Sequence, residues 1–138
     1  MVHFFEIHLE TTDQTDILDI TQDAEEKVLQ SGIENGSMIV FISGATAAVT
    51  TIEYESGVIN DLRRAIDRIA PRDIAYQHDQ RWGDGNGYSH VRASLLGPSL
   101  AVPIRHKSVL LGTWQQIVVI DFDNRPRKRK VVIQIMGE

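Results

Sequence analysis

The sequence predicts an α+β fold: a single-domain sandwich spanning residues 1–138, with a largely antiparallel mixed sheet and about three helices. Three observations carry this. The N-terminal stretch sets Phe5, Ile7 and Leu9 against Phe4, Glu6, His8 and Glu10, the period of two expected of a strand with one buried face. Residues 57–70 carry apolar side chains at helical spacing instead. Strand-like and helix-like segments follow one another in mixed order, without the regular strand–helix alternation of a doubly wound nucleotide-binding fold.

In chain order, residues 2–10 are the first strand and residues 16–20 a short second one. His3 and His8 read as ordinary strand-face residues. Thr21 offers an N-cap hydroxyl, and Asp23 and Glu25 place carboxylates where they complement the helix dipole. A helix over residues 22–30 follows, with Ala24, Val28 and Leu29 inward and Gly32 at its end. Asn35-Gly36 marks a turn, and the Ser-Met-Ile-Val-Phe-Ile run at 37–42 has so little polar alternation that it predicts a central strand covered on both faces. Residues 45–55 continue with small side chains, and Glu53 and Glu55, two apart, would share one face of a strand. In the helix at 57–70, Val58, Ile59, Leu62, Ala65, Ile66 and Ile69 form the apolar stripe opposite Asp61, Arg63, Arg64, Asp67 and Arg68, and Pro71 marks its end. A further helix at 89–96 stops at Gly97-Pro98. Strands are expected at 99–104, 109–111, 116–122 and 130–136, with a turn at 123–126.

Composition narrows the function classes. A formal net charge of -5 argues against the electropositive surface that nucleic-acid binding needs, and the basic run at 125–130 reads as a solvated turn. With no cysteine, disulfides, thiolate zinc sites and cysteine nucleophiles are excluded. No apolar run approaches the roughly 20 residues that span a bilayer, and the N-terminus lacks the basic head and apolar middle of a secretion signal. No membrane association and a cytoplasmic location are the expectations. A hydrophobic fraction of 42% supports a core without a metal staple, so any metal would serve function.

Chemistry-bearing residues concentrate in residues 76–115, which hold His78, His90, His106, both tryptophans and a Gly-Asp-Gly-Asn-Gly loop. On a helix beginning near Asn86, the residues Asn86, His90 and Ser94 share a face while Val91 and Leu95 turn to the core. Asp84 stands just before that helix between glycines that let the backbone bend, and His78 lies on the incoming segment. Two imidazoles and a carboxylate around an open position suit zinc or another divalent ion. The same residues read equally as a helix cap at Asp84 or Asn86 beside a satisfied histidine. The glycine loop is neither a GxxxxGK[ST] phosphate loop nor a dinucleotide fingerprint. Arg92 and Arg105 are candidates for phosphate grip or for surface ion pairs. Thr113 and Gln115 could orient a ligand that Trp114 walls.

Several segments in order resemble the YjbQ-like family: Thr46-Ala47-Ala48-Val49-Thr50 leading to Glu53, then His78, Gly83-Asp84-Gly85-Asn86, the run from His90 to Gly97, Leu111-Gly112-Thr113-Trp114-Gln115, and the closing Gly137-Glu138. The resemblance implies a compact α+β subunit assembled as a homotrimer, with a polar cleft near the histidines that takes a divalent metal, zinc or magnesium. It also implies secondary thiamine-phosphate synthase activity, a transferase reaction joining a pyrimidine diphosphate to a thiazole phosphate, so the expected partner is a small phosphorylated molecule. On that reading His78, Asp84 and His90 bind metal, and Glu53 acts with His78 and His90 in catalysis as a general base or an orienting group. Asn86, Arg92, Ser94, Thr113 and Gln115 position substrate. A noncatalytic metal- or ligand-binding trimer and a metal-dependent phosphoester hydrolase are the alternatives. Where family members often carry His-Thr-Thr before Ala-Ala-Val, this chain has Gly44-Ala45-Thr46, one imidazole fewer.

Overall fold

A computed structural model describes residues 1–138. In order the elements are β1 (Val2–Glu10), β2 (Asp16–Asp19), α1 (Thr21–Ser31), β3 (Gly36–Ile42), β4 (Ala47–Ile52), α2 (Ser56–Ile69), α3 (Gln77–Trp82), α4 (Gly87–Leu96), β5 (Ser99–Arg105), β6 (Ser108–Val109), β7 (Gln116–Asp121) and β8 (Lys128–Gly137). The strands form two sheets, one in the order β1-β8-β3-β5-β6 and one in the order β2-β7-β4, and every pairing is antiparallel. The α+β antiparallel sandwich thus stands, resolved into two sheets and four helices.

Period-two patterning explains the layers. One face of the larger sheet turns Ile7, Met38, Val40, Val102, Val131, Ile133 and Ile135 inward against Ala47, Val49, Ile117 and Val119 of the smaller sheet, with Ala24 and Val28 of α1 closing the layer. The smaller sheet is buried on its other side too, where Ala48, Val118 and Ile120 meet Ile66 of α2 and Ala93 of α4. A strand buried on both faces has no room for polar alternation, which is why β7 reads Ile-Val-Val-Ile. Each fully buried aliphatic side chain here contributes roughly 1.5–3 kcal/mol.

The larger sheet is covered on one side only. Its other face exposes Val2, Phe4, Phe41 and Met136, with Phe4 68% accessible. β3 is therefore central in its sheet but not covered on both faces, contrary to the expectation for residues 37–42.

Three local expectations are corrected by competing hydrogen bonds and docking. The Thr21 hydroxyl accepts the Ile117 amide at 2.8 Å, which ties α1 to β7 and leaves the helix without a side-chain cap. Glu55 caps α2, accepting the amides of Gly57 and Val58 at 2.7 and 2.9 Å, so Glu53 and Glu55 lie in a loop and not on one strand face. Helix α4 buries Tyr88, Ser89, Arg92 and Ala93, whereas Val91 and Leu95, expected in the core, are exposed. Its rotation is set where it starts. A Cβ on Gly87 would lie 2.7 Å from Tyr76 Cβ and 3.2 Å from His78 Cβ, so only glycine lets α4 dock this close to α3.

Candidate functional site

The polar end of the smaller sheet is built by strand pairing. Ala47 lies opposite Asp121, so Thr46 at the entrance to β4 meets the exit of β7. Asp121 and Asp123 are both fully buried there. Asp121 accepts Thr11 Oγ1 at 2.8 Å and Arg129 through Nε and Nη2 at 2.7 and 3.2 Å. Asp123 accepts Thr46 Oγ1 at 2.9 Å, Arg127 Nε at 2.8 Å, Asn86 Nδ2 at 3.3 Å and the Asn124 amide at 2.8 Å. Burial opposes ionisation of Asp123, but the bonds from Asn86, Asn124, Thr46 and Arg127 outweigh it and hold the carboxyl below its usual value. Arg127 and Arg129 thus turn inward while Lys128 and Lys130 face solvent. The run at 125–130 is not a uniformly solvated turn, because strand geometry sends alternate side chains to opposite sides.

Asn86, anchored on Asp123, carries the histidine corner. It is buried, N-caps α4 through its main chain, and leaves its own Oδ1 without a hydrogen-bond partner. Next to it, the Gly87 amide donates to Asp79 Oδ1 at 2.8 Å, fixing that carboxylate on α3. His78 Nδ1 lies 3.2 Å from Asp79 Oδ1 and 3.5 Å from Asp84 Oδ1. Gly83 and Gly85 adopt φ of 71° and 70°, left-handed values that reverse the chain and bring Asp84 back to His78. The His90 ring packs against His78 with centroids 4.4 Å apart and the planes tilted by 38°.

Donor atoms of His78, Asp79 and Asp84 all lie within 4.8 Å of one another. Ligands at about 2.1 Å from a tetrahedral ion sit about 3.4 Å apart, close to the 3.2 and 3.5 Å between His78 Nδ1 and the two carboxylates, the shorter of which is a hydrogen bond in this structure. One imidazole and two carboxylates form a mixed nitrogen–oxygen set suited to zinc or a neighbouring transition ion; magnesium, which favours oxygen and water, fits less well. The unpartnered Asn86 Oδ1 supplies a buried acceptor one residue from the amide that positions Asp79.

Of the residues expected to act together, the structure unites His78, Asp84, His90 and Asn86. Asp79 was missed, although it directly follows His78 in the chain. Glu53 does not join them. It follows the far end of β4, and seven residues at about 3.3 Å each separate it from Thr46 by roughly 23 Å. Thr113 and Gln115 share that distant pole, where Gln115 Nε2 donates to Thr51 Oγ1 at 3.4 Å and Ile52 pairs with Gln116. Ser94 is exposed and donates to its own helix at the His90 carbonyl, 2.8 Å away. Arg92 is neither a surface ion-pair residue nor near the histidine ligands' hydrogen bonds. It is 2% exposed, bound to the Ala70 carbonyl and Asp67 at 2.9 Å each. Arg105 and Trp114 are exposed, and Arg105 forms no ion pair. Gly44 has φ of 121°, and a Cβ there would stand 2.7 Å from Arg129 Nη1. Arg129 occupies the space in which a side chain at position 44 would begin.

The family described as "UPF0047 protein YjbQ-like" matches residues 5–138. The chain belongs to the YjbQ-like family. A UPF0047 protein of Archaeoglobus fulgidus is 34% identical over 131 residues, covering 95% of this chain and 99% of the relative. One from Methanothermobacter thermautotrophicus is 35% identical over 137 residues, covering 99% and 94%. A crystal structure from Sulfolobus solfataricus P2, described as a YbjQ-like protein of unknown function, superposes with a TM-score of 0.94 at 31% identity, covering 100% of this chain and 99% of that one. An uncharacterized family member from Clostridium acetobutylicum superposes with a TM-score of 0.87 at 32% identity, covering 96% and 99%.

These YjbQ-like relatives correct the functional expectation. They are described only as UPF0047 proteins or as uncharacterized, and none is described as a thiamine-phosphate synthase. The synthase reading and its transferase class are withdrawn. The descriptions name no metal either, so metal binding cannot be taken from the family. None of the four helices is long and apolar enough to cross a membrane.

Proposed function

We propose that the corner between α3 and α4 is a divalent-cation site, with His78, Asp79 and Asp84 as ligands and His90 as the imidazole beside them. One observation carries this reading: three donor atoms of suitable chemistry within 4.8 Å, on α3 and the loop that follows it, locked against α4 through Gly87. Bound there, an ion would polarise an oxygen atom on its open side, where Asp84 is half exposed. A small phosphorylated molecule is the partner whose charge such an ion would hold.

The bare face of the larger sheet supports self-association as part of the same reading. Val2, Phe4, Phe41 and Met136 on adjoining strands offer an apolar surface of the kind that copies of a chain bury against each other, and a homotrimer is the assembly proposed. The compartment proposed is the cytoplasm, to be checked by cell fractionation.

Titration calorimetry tests the cation site. Zinc or manganese should bind the chelator-treated protein more tightly than magnesium does, and His78→Ala or Asp79→Asn should weaken binding by about 10–100-fold. Equal binding by the wild type and both variants refutes the site. Phe4→Lys should shift the assembly to monomers in sedimentation without loss of ion binding by the monomer.

A further inference from the structure

A cavity of about 260 Å³ opens between α2, the loop before β2 and the end of β7, away from the histidine corner. Its floor is apolar, formed by Ile17, Leu62, Ile66, Ile120 and Phe122. Its wall carries three guanidinium groups, from Arg63, Arg72 and Arg92, against a single carboxylate, that of Asp67. In a chain with a formal net charge of -5, this concentration of cations calls for an explanation.

Two of the three arginines, Arg63 and Arg72, are held in place without a salt bridge. Arg63 Nη1 donates to the Gln14 carbonyl at 3.0 Å and Arg72 Nη2 to the Asp13 carbonyl at 2.9 Å, and neither forms a salt bridge. A carbonyl fixes a guanidinium but leaves its charge in place. Only Arg92 has a carboxylate partner, Asp67, and it too is steered by a carbonyl, that of Ala70. The nearby Asp13 carboxylate accepts Gln14 Nε2 at 2.7 Å and meets no cation. Behind the wall, Arg72 and Arg92 lie 4.8 and 5.0 Å from the ring centroid of Tyr88, whose hydroxyl is buried without any partner. The cavity therefore combines an apolar floor, two anchored cations outside any salt bridge, with the one lining carboxylate, Asp67, taken by Arg92, and one orphaned phenol beside them.

We propose that this cavity binds a small amphipathic carboxylate, with its hydrocarbon body on the Leu62, Ile66 and Phe122 floor and its carboxylate between Arg63 and Arg72. The planar guanidinium fork matches a carboxylate. The floor favours a ligand with an apolar body over a bare anion such as phosphate. The inference does not depend on the cation site, because no residue of the His78 corner lines this cavity.

Calorimetry with butyrate, pentanoate, hexanoate and inorganic phosphate tests it on the metal-free protein and on the His78→Ala variant. Affinity should rise about fourfold per added methylene, and phosphate should bind more weakly than hexanoate. Arg63→Gln and Arg72→Gln should each weaken hexanoate binding about tenfold or more, with circular dichroism and melting temperature confirming the fold. Both residues reach the surface, so these variants avoid the folding risk of altering buried Arg92. The proposal is overturned by any of three results: no hexanoate binding up to about 10 mM, no dependence on chain length or preference over phosphate, or unchanged affinity in the double arginine variant.

Discussion

Replacing Arg129 with Met tests the buried charge network most directly. Arg129 is 8% exposed and makes two hydrogen bonds to Asp121 and one to Thr46 Oγ1, at 2.6 Å. Met retains much of the side-chain volume but removes all three bonds, leaving the fully buried Asp121 carboxylate with only Thr11 Oγ1 and the Asp123 amide. Breaking one member of a buried pair costs about 3–5 kcal/mol, whereas an exposed pair is worth about 1 kcal/mol or less. A domain of this length has a total stability of roughly 7–20 kcal/mol, so the loss is a large share of it. At about 2.1 cal/mol/K per residue of unfolding entropy, the melting temperature should fall by about 10–17 °C. Calorimetry and urea denaturation measure the effect. Adding Asp121→Leu should recover part of it by removing the stranded charge. A single-variant loss below about 1 kcal/mol, or no recovery in the double variant, refutes the claim that this pair is a desolvated unit.

Other outcomes follow from single contacts. Gly44→Ala should lower stability by about 1–3 kcal/mol in urea denaturation, because φ of 121° disfavours a side chain and the Arg129 guanidinium blocks the space; introducing His there should be worse still. Glu55→Ala should lower the melting temperature by uncapping α2. The Glu55 carboxyl is held below its usual value by the Gly57 and Val58 amides, and Asp123 is held low as well. A depressed folded value means stability that is present above the unfolded values of 4.5 and 3.8 and is lost as pH falls through the folded ones; Asp123→Asn should flatten that acid limb in pH-dependent melting. Burial pushes the Tyr88 phenol above 10.0 despite Arg72 and Arg92, so its contribution is present below pH 10.0 and lost as pH rises through the folded value. Tyr88→Phe removes that dependence and an unsatisfied hydroxyl. Its melting temperature at neutral pH should match or exceed the wild type's.

The strands were legible where one face alternates. β1 begins and ends where its alternation does, and the Ile-Val-Val-Ile run of β7 announced a deeply buried strand. Helix α3 was not legible, because its six residues bury nothing and therefore carry no apolar period. At the site, His78, Asp84 and His90 were found because short, glycine-bent segments keep them near each other along the chain. Glu53 was misplaced because its position depends on which way β4 runs relative to the histidines, information held in strand pairing and not in local spacing. The inward turn of Arg127 and Arg129 had a visible signal in their alternation with Lys128 and Lys130, but only buried partners give that alternation a direction.

The two left-handed glycines flanking Asp84 mean that one of the three proposed donors is aimed by main-chain chirality and by one bond from Asn124 to the Asp84 carbonyl, since the turn itself is solvent-exposed. Substitutions in this turn should therefore change affinity at the proposed cation site without disturbing the hydrophobic interior. A synthetic protein with D-alanine at Gly83 and Gly85 would stiffen the bend in its native hand, whereas L-alanine would work against it.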